Sequence, residues 1–174
     1  MSNRETLVAT ASQTIGPFFH FAVVDARLGR MADRFSSGEP VRLLIRVTDG
    51  DGAAVSDALI ELMQAGVFGR MPTGPEGTCE FTTMRPGTTG GRDGEVEHAA
   101  PHIAVCVFAR GLLRALHTRI YFAGEAALTR DPTLALLPAE RRQTLVATPD
   151  PQADGAWVFD LRLQGPSETI FFDV

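Results

Sequence analysis

Short apolar stretches, broken by glycine and proline turns, recur along the whole chain and set its expected architecture. Residues 41–48 are rich in β-formers and run into Asp49-Gly50-Asp51-Gly52, a strong turn signal. In 58–64 the residues Leu59, Glu61 and Met63 alternate with Ile60 and Leu62, the period-two pattern of a strand. Gly74-Pro75-Glu76-Gly77 makes another turn before a strand at 78–83. The clearest pair is 102–109 and 113–122, joined at Arg110-Gly111, and 157–163 and 169–174 close the chain. Helix is expected at 25–35 and at 139–147, the latter after Pro138, which suits a helix start. Regularly spaced short strands with few helices predict an all-β, single-domain β-sandwich with short helices and an N-terminal arm. Residues 41–174 would form the sandwich core, and 1–40 an arm and helical segment packing on a partner.

Composition narrows the function classes. A chain of 174 residues fits one domain and buries enough surface to need no disulfide staples. The formal net charge of −5 supplies no long-range basic field for nucleic acid or anionic lipid. No apolar run approaches the roughly 20 residues needed to cross a bilayer, and Met1-Ser2-Asn3-Arg4-Glu5 lacks a signal-peptide layout. A cytoplasmic location follows as the expectation. Cys79 and Cys106 are too few for a disulfide framework, and Cys106 sits in an apolar run that suits a buried thiol. Both ends carry apolar clusters, 16–24 and 170–174. They either dock on their own domain or form an interface, because burying one Phe contributes about 1.5–3 kcal/mol.

The run from Pro101 to Arg110 carries the candidate chemistry. Residues two apart on a strand share a face, so His-x-His would offer two imidazoles to one metal. Here His102 is present, but the second position is Ala104, which has no lone pair. A tyrosine-rich ferric site is excluded on this chain alone, since Tyr121 is its only tyrosine. A zinc site from His98, His102 and Glu97 would need a shared helix face, which Pro101 and the following β-run oppose. His102 and His117 read better as hydrogen-bonded core residues, and Glu140-Arg141-Arg142 as a polar helix face.

Several motifs together carry a resemblance. Ser12-Gln13-Thr14-Ile15-Gly16-Pro17-Phe18, Val47-Thr48-Asp49-Gly50, Pro101-His102-Ile103 and Phe108-Ala109-Arg110-Gly111 come first. Leu116-His117-Thr118-Arg119-Ile120-Tyr121-Phe122, Arg141-Arg142-Gln143-Thr144-Leu145 and the stretch from Gln164 to Asp173 continue in order. The chain resembles the alpha-type chains of the intradiol ring-cleavage dioxygenase family. The resemblance implies a hetero-oligomer with a related beta chain, which holds non-haem Fe(III) through two tyrosines and two histidines. It places His102 where the first iron histidine stands in the beta chain and Ala104 where the second stands. Thr89 replaces one iron tyrosine, Ala99 replaces an arginine, and the loop bearing the other tyrosine is cut short after Gln64.

Fe(III) is a hard cation suited to phenolate oxygen, and a lone imidazole does not hold it usefully. The resemblance therefore implies no metal site and no catalytic residue in this chain alone. It implies a chain that completes the pocket for a small carboxylated catechol, which the holoenzyme opens with O2. Substrate-binding residues would be Arg110, near the carboxylate, and Thr14, Gly16 and Pro17, lining one wall. The competing expectation is a non-catalytic β-sandwich binding or assembly module that kept the fold and lost the chemistry.

Overall fold

The computed structural model describes residues 11, 13, 14, 16, 23–87 and 99–173. Among these residues eight strands are formed: β1 Pro40–Thr48, β2 Leu59–Gln64, β3 Val67–Pro72, β4 Thr78–Met84, β5 Ile103–Phe108, β6 Leu116–Phe122, β7 Val146–Pro149 and β8 Ala156–Arg162. They lie in the order β3-β2-β5-β6-β7-β8-β1-β4, so the all-β expectation holds. Among the described residues, the strand pairing that joins the two four-stranded halves is where β6 runs parallel to β7, through Tyr121↔Val146 and Phe122↔Ala147. The result is one nearly closed, barrel-like sheet rather than two separate layers. Among the described residues no helix is long and apolar enough to cross a membrane.

The halves close over a shared interior because their strands alternate. Leu43, Ile45 and Val47 of β1, Phe81 of β4, and Phe159 and Leu161 of β8 face inward from one half. Ile60 and Leu62 of β2, Ile103, Val105 and Val107 of β5, and Ile120 and Phe122 of β6 meet them from the other. Phe122 packs edge-on against Trp157 at 5.0 Å between ring centres, a favoured aromatic geometry. Gln64, almost fully buried, donates to the Met84 carbonyl at 2.7 Å and accepts from Thr83 Oγ1 at 2.7 Å. The ends of β2 and β4 are thereby tied by a satisfied polar pair, which avoids the cost of a buried orphan.

The segment expected as a helix at 25–35 forms two 3-10 turns instead, Ala26–Gly29 and Met31–Arg34. Arg30 between them leaves helical geometry at φ −93°, ψ 62° and bridges in parallel to Thr82 of β4. Met31 enters the main core, where a Cβ on Gly69 of β3 would lie 2.5 Å from its sulfur. The turns therefore fill the gap between the edge strands β3 and β4, and packing overrides helix propensity. Residues 139–147 likewise split into a 3-10 turn, Ala139–Leu145, followed by β7. Arg141 and Arg142 there donate to the carbonyls of Glu168 and Leu137 rather than forming a solvated face. The strand expected at 169–174 reduces to one bridge, His117↔Phe172. One short helix, α1 Pro132–Ala135, was not expected.

The β2–β3 connection has two residues, Ala65 and Gly66, at φ 48° and 82°. This is the type I′ geometry that matches strand twist, and it favours Asn or Gly at the first position. Alanine held there costs about 1 kcal/mol. Ala65→Asn is expected to raise unfolding stability by about 0.5–1 kcal/mol in chemical denaturation, without altering the secondary structure.

Candidate functional site

Alternation along β5 sorts its side chains into two sets. Ile103, Val105 and Val107 are buried in the core, whereas His102, Ala104, Cys106 and Phe108 face the other way. His102 is half-buried, with Nδ1 at 2.9 Å from the Ala100 carbonyl. A carbonyl only accepts, so the proton sits on Nδ1. Its ring lies 5.5 Å from that of Tyr121. Ala104 is exposed, between Met63 of β2 and Arg119 of β6.

A second small core of Ala100, Tyr121, Leu134 and Leu145 covers the far side of β6. Asp131, 1% exposed, accepts from the backbone amides of Ala100 at 2.7 Å and Leu134 at 2.8 Å. It also accepts from the Tyr121 hydroxyl at 3.5 Å. The carboxylate thus caps α1 and fixes the backbone two residues before His102. Arg119 donates to Thr133 Oγ1 at 3.0 Å and to the Tyr121 oxygen at 3.4 Å. Burial pushes the Tyr121 phenol above its usual range, against the opposing pull of Arg119.

This donor set does not fit Fe(III). One imidazole bonded to a backbone carbonyl, a methyl group at Ala104 and a buried neutral phenol supply no phenolate ligand, and the Asp131 carboxylate is committed to the Ala100 and Leu134 amides and the Tyr121 hydroxyl. Among the described residues no group of three or more His, Cys, Asp or Glu could hold a metal ion. Thr89, Glu97 and His98 lie outside the described residues. Where a longer loop was expected to be cut short after Gln64, the chain makes the Ala65-Gly66 turn. Both cysteines are unpaired; burial raises Cys79 to about 12, and burial with the nearby Glu61 charge raises Cys106 to about 11.

The structure brings Thr14 and the Arg110-Gly111 turn together. Thr14 Oγ1 donates to the Ala109 carbonyl at 3.3 Å and accepts from the Gly111 amide at 2.9 Å. Gly111 adopts φ 86°, the left-handed conformation that ends β5 sharply. Arg110 is exposed and bonds Asp57 through Nε. Gly16 is also exposed, with open space where a Cβ would stand, and Pro17 lies outside the described residues.

On the β6 side of the same turn is an open pocket of about 350 Å³. Gln13, Leu113, Arg114, His117, Phe172 and Asp173 line it. His117 is therefore half-buried at a pocket wall, and its main chain, not its ring, takes the bond from the Phe172 amide at 2.7 Å. Periodicity had no means of finding this pocket, because the C-terminal segment builds it by folding back onto β6.

No family model matches the chain. The fold is similar to the dioxygenase domain of a carbohydrate-binding fusion protein from Streptomyces sp. SirexAA-E, with a TM-score of 0.62 and 22% identity over 79% of this chain and 87% of that one. It is also similar to catechol 1,2-dioxygenase from Pseudomonas arvilla C-1, with a TM-score of 0.61 and 23% identity over 78% and 55%. These likenesses define the fold class. In sequence, the chain is 40% identical over 195 residues to the protocatechuate 3,4-dioxygenase alpha chain of Burkholderia cepacia, covering 97% of this chain and 99% of that one. It is 36% identical over 200 residues to the alpha chain of Pseudomonas putida, covering 97% and 98%. The chain belongs to the protocatechuate 3,4-dioxygenase alpha-chain family, among the intradiol ring-cleavage dioxygenases.

Asp131→Ala removes an acceptor from two buried amides and a phenol. It is expected to cost about 2–4 kcal/mol of unfolding free energy in urea titration, and to free the segment before His102 for faster amide exchange.

Proposed function

We propose that this chain is the non-metallated alpha subunit of a protocatechuate 3,4-dioxygenase. It completes the pocket in which 3,4-dihydroxybenzoate is opened by O2 to 3-carboxy-cis,cis-muconate, in the beta-ketoadipate route of aromatic catabolism. A protocatechuate 3,4-dioxygenase beta subunit holds the Fe(III), and the assembly is a cytoplasmic hetero-oligomer. The observation that carries this reading is the mismatch within one alpha-chain family member: a dioxygenase fold whose His102 strand offers Ala104 in place of a second ligand.

In this reading the chain supplies a wall and fixed charge. Thr14, hydrogen-bonded to both sides of Arg110, holds the N-terminal arm at the end of β5. Gly16 and Pro17 continue that wall, glycine permitting close backbone approach and proline stiffening it. Arg110 uses Nε for Asp57, so its two terminal nitrogens are available to grip a substrate carboxylate in a planar fork. Of the segment 1–40 expected to pack on a partner, residues 26–34 are committed to their own β3 and β4.

Purified alone, the chain is expected to carry no stoichiometric iron and no phenolate-to-iron absorption. Co-expressed with a beta-type partner, it should co-purify and cleave 3,4-dihydroxybenzoate; failure to associate would favour a non-catalytic assembly module. In that complex Arg110→Ala should lower kcat/KM by about tenfold or more, equal to about 1.4 kcal/mol. Unchanged kinetics would remove Arg110 from the substrate contacts.

A further inference from the structure

Strand register places a carboxylate opposite Arg110. β2 and β5 run antiparallel, with Met63 facing Ala104 and Leu59 facing Phe108. Continued two residues past Leu59 and Phe108, that register sets Asp57 opposite Arg110, an opposite-charge cross-strand pair. The two are bonded, Arg110 Nε donating to Asp57 Oδ2. They are unequal partners, because the Asp57 side chain is 27% exposed and that of Arg110 67%. Asp57 is also firmly anchored. Buried Thr73 accepts from the Ala58 amide at 2.9 Å and donates to the Val55 carbonyl at 2.7 Å, which braces the chain on both sides of Asp57. The Val55 amide donates in turn to the Val47 carbonyl of β1 at 3.0 Å. Thr14 braces Ala109 and Gly111, on both sides of Arg110, in the same manner. The main chain at both ends of the ion pair is therefore held. What remains free is the long Arg110 side chain with its many rotamers, and a fixed carboxylate at Nε selects among them.

We propose that Asp57 is a positioning residue for Arg110, which makes it a determinant of specificity for carboxylated over uncarboxylated catechols. This rests on the reading of Arg110 as the contact for the substrate carboxylate. A guanidinium can meet a carboxylate along the edge formed by Nε and one terminal nitrogen, or along the edge formed by both terminal nitrogens. Asp57 occupies Nε and so leaves the second edge for substrate. An exposed ion pair adds little to folding stability. Its effect lies in ordering the guanidinium before substrate arrives, so that binding does not have to. Asp57 itself touches no substrate.

The test is steady-state kinetics of the complex with its beta-type partner, using 3,4-dihydroxybenzoate and catechol as separate substrates. Asp57→Ala should raise KM for 3,4-dihydroxybenzoate about fivefold with kcat nearly unchanged, and lower its kcat/KM relative to that of catechol by the same factor. Asp57→Asn keeps a neutral acceptor for Nε and should lie between wild type and Asp57→Ala. In the Arg110→Ala background, Asp57→Ala should cause no further loss, because the two residues act as a unit. A merely structural role would lower kcat/KM for both substrates alike and would persist in that background. Either of those results, or an unchanged or lower KM in Asp57→Ala, would overturn the proposal. Loss in Arg110→Ala without loss in Asp57→Ala removes only the role of Asp57, whereas no loss in either variant removes the reading of Arg110 as well.

Discussion

The alternation of side chains along β5, enforced by a buried interior on one side only, is the constraint from which the candidate chemistry follows. Ile103, Val105 and Val107 are held inward by the opposite half of the sheet, and shifting the strand by one residue would expel all three into water. That cost fixes which residues face out. His102 and Ala104 share the outward face because the core leaves them no alternative. Past the end of β5 at Phe108, the left-handed backbone of Gly111 turns the chain between Arg110 and Arg114. Packing inside the barrel thus decides what is offered outside it.

The interior itself is closed by two unequal seams. On one side β6 and β7 pair through only two residue pairs. On the other, β3 and β4 are not paired with each other, and Met31 fills the space between them. Neither seam is a long hydrogen-bonded ladder, so apolar contact rather than strand pairing holds the two halves together. Outside the barrel, Asp131 performs the equivalent service for the second, smaller core, by satisfying amides that would otherwise be buried without partners.

Strands with one buried face were legible in the sequence, and the elements that depend on distant packing were not. β1, β2, β4, β5, β6 and β8 fall within a few residues of the expected stretches, because their alternation is local information. β3 was missed: Val67 to Pro72 has Gly69 at its centre and partial exposure almost throughout, so no period shows. The first two residues of β7 fell inside the helix expected at 139–147, and its four residues are held by neighbours on both sides rather than by their own propensity. The helix expected at 25–35 gave way to two tight turns once Met31 had a core to enter. At the site, the shared outward face of His102 and Ala104 was legible from spacing alone. The meeting of Thr14 with Gly111 was not, since ninety-seven residues separate them and only the resemblance pointed there. His117 was read as a core residue because its strand is apolar, and the pocket beside it depends on a chain end returning from elsewhere.

The two-residue turn between β2 and β3 has an evolutionary consequence. On the proposed reading, the loop that it replaces carries an iron tyrosine in the metal-holding chain. Exchanging Ala104 for histidine takes one amino-acid replacement, but no replacement can lengthen Ala65-Gly66. A lineage bearing this hairpin would have to acquire new codons, in a register that keeps Gln64 tied to Met84, before a metal could return. On that reading the division of labour between the two kinds of chain resists reversal by substitution, because only an insertion lengthens the turn.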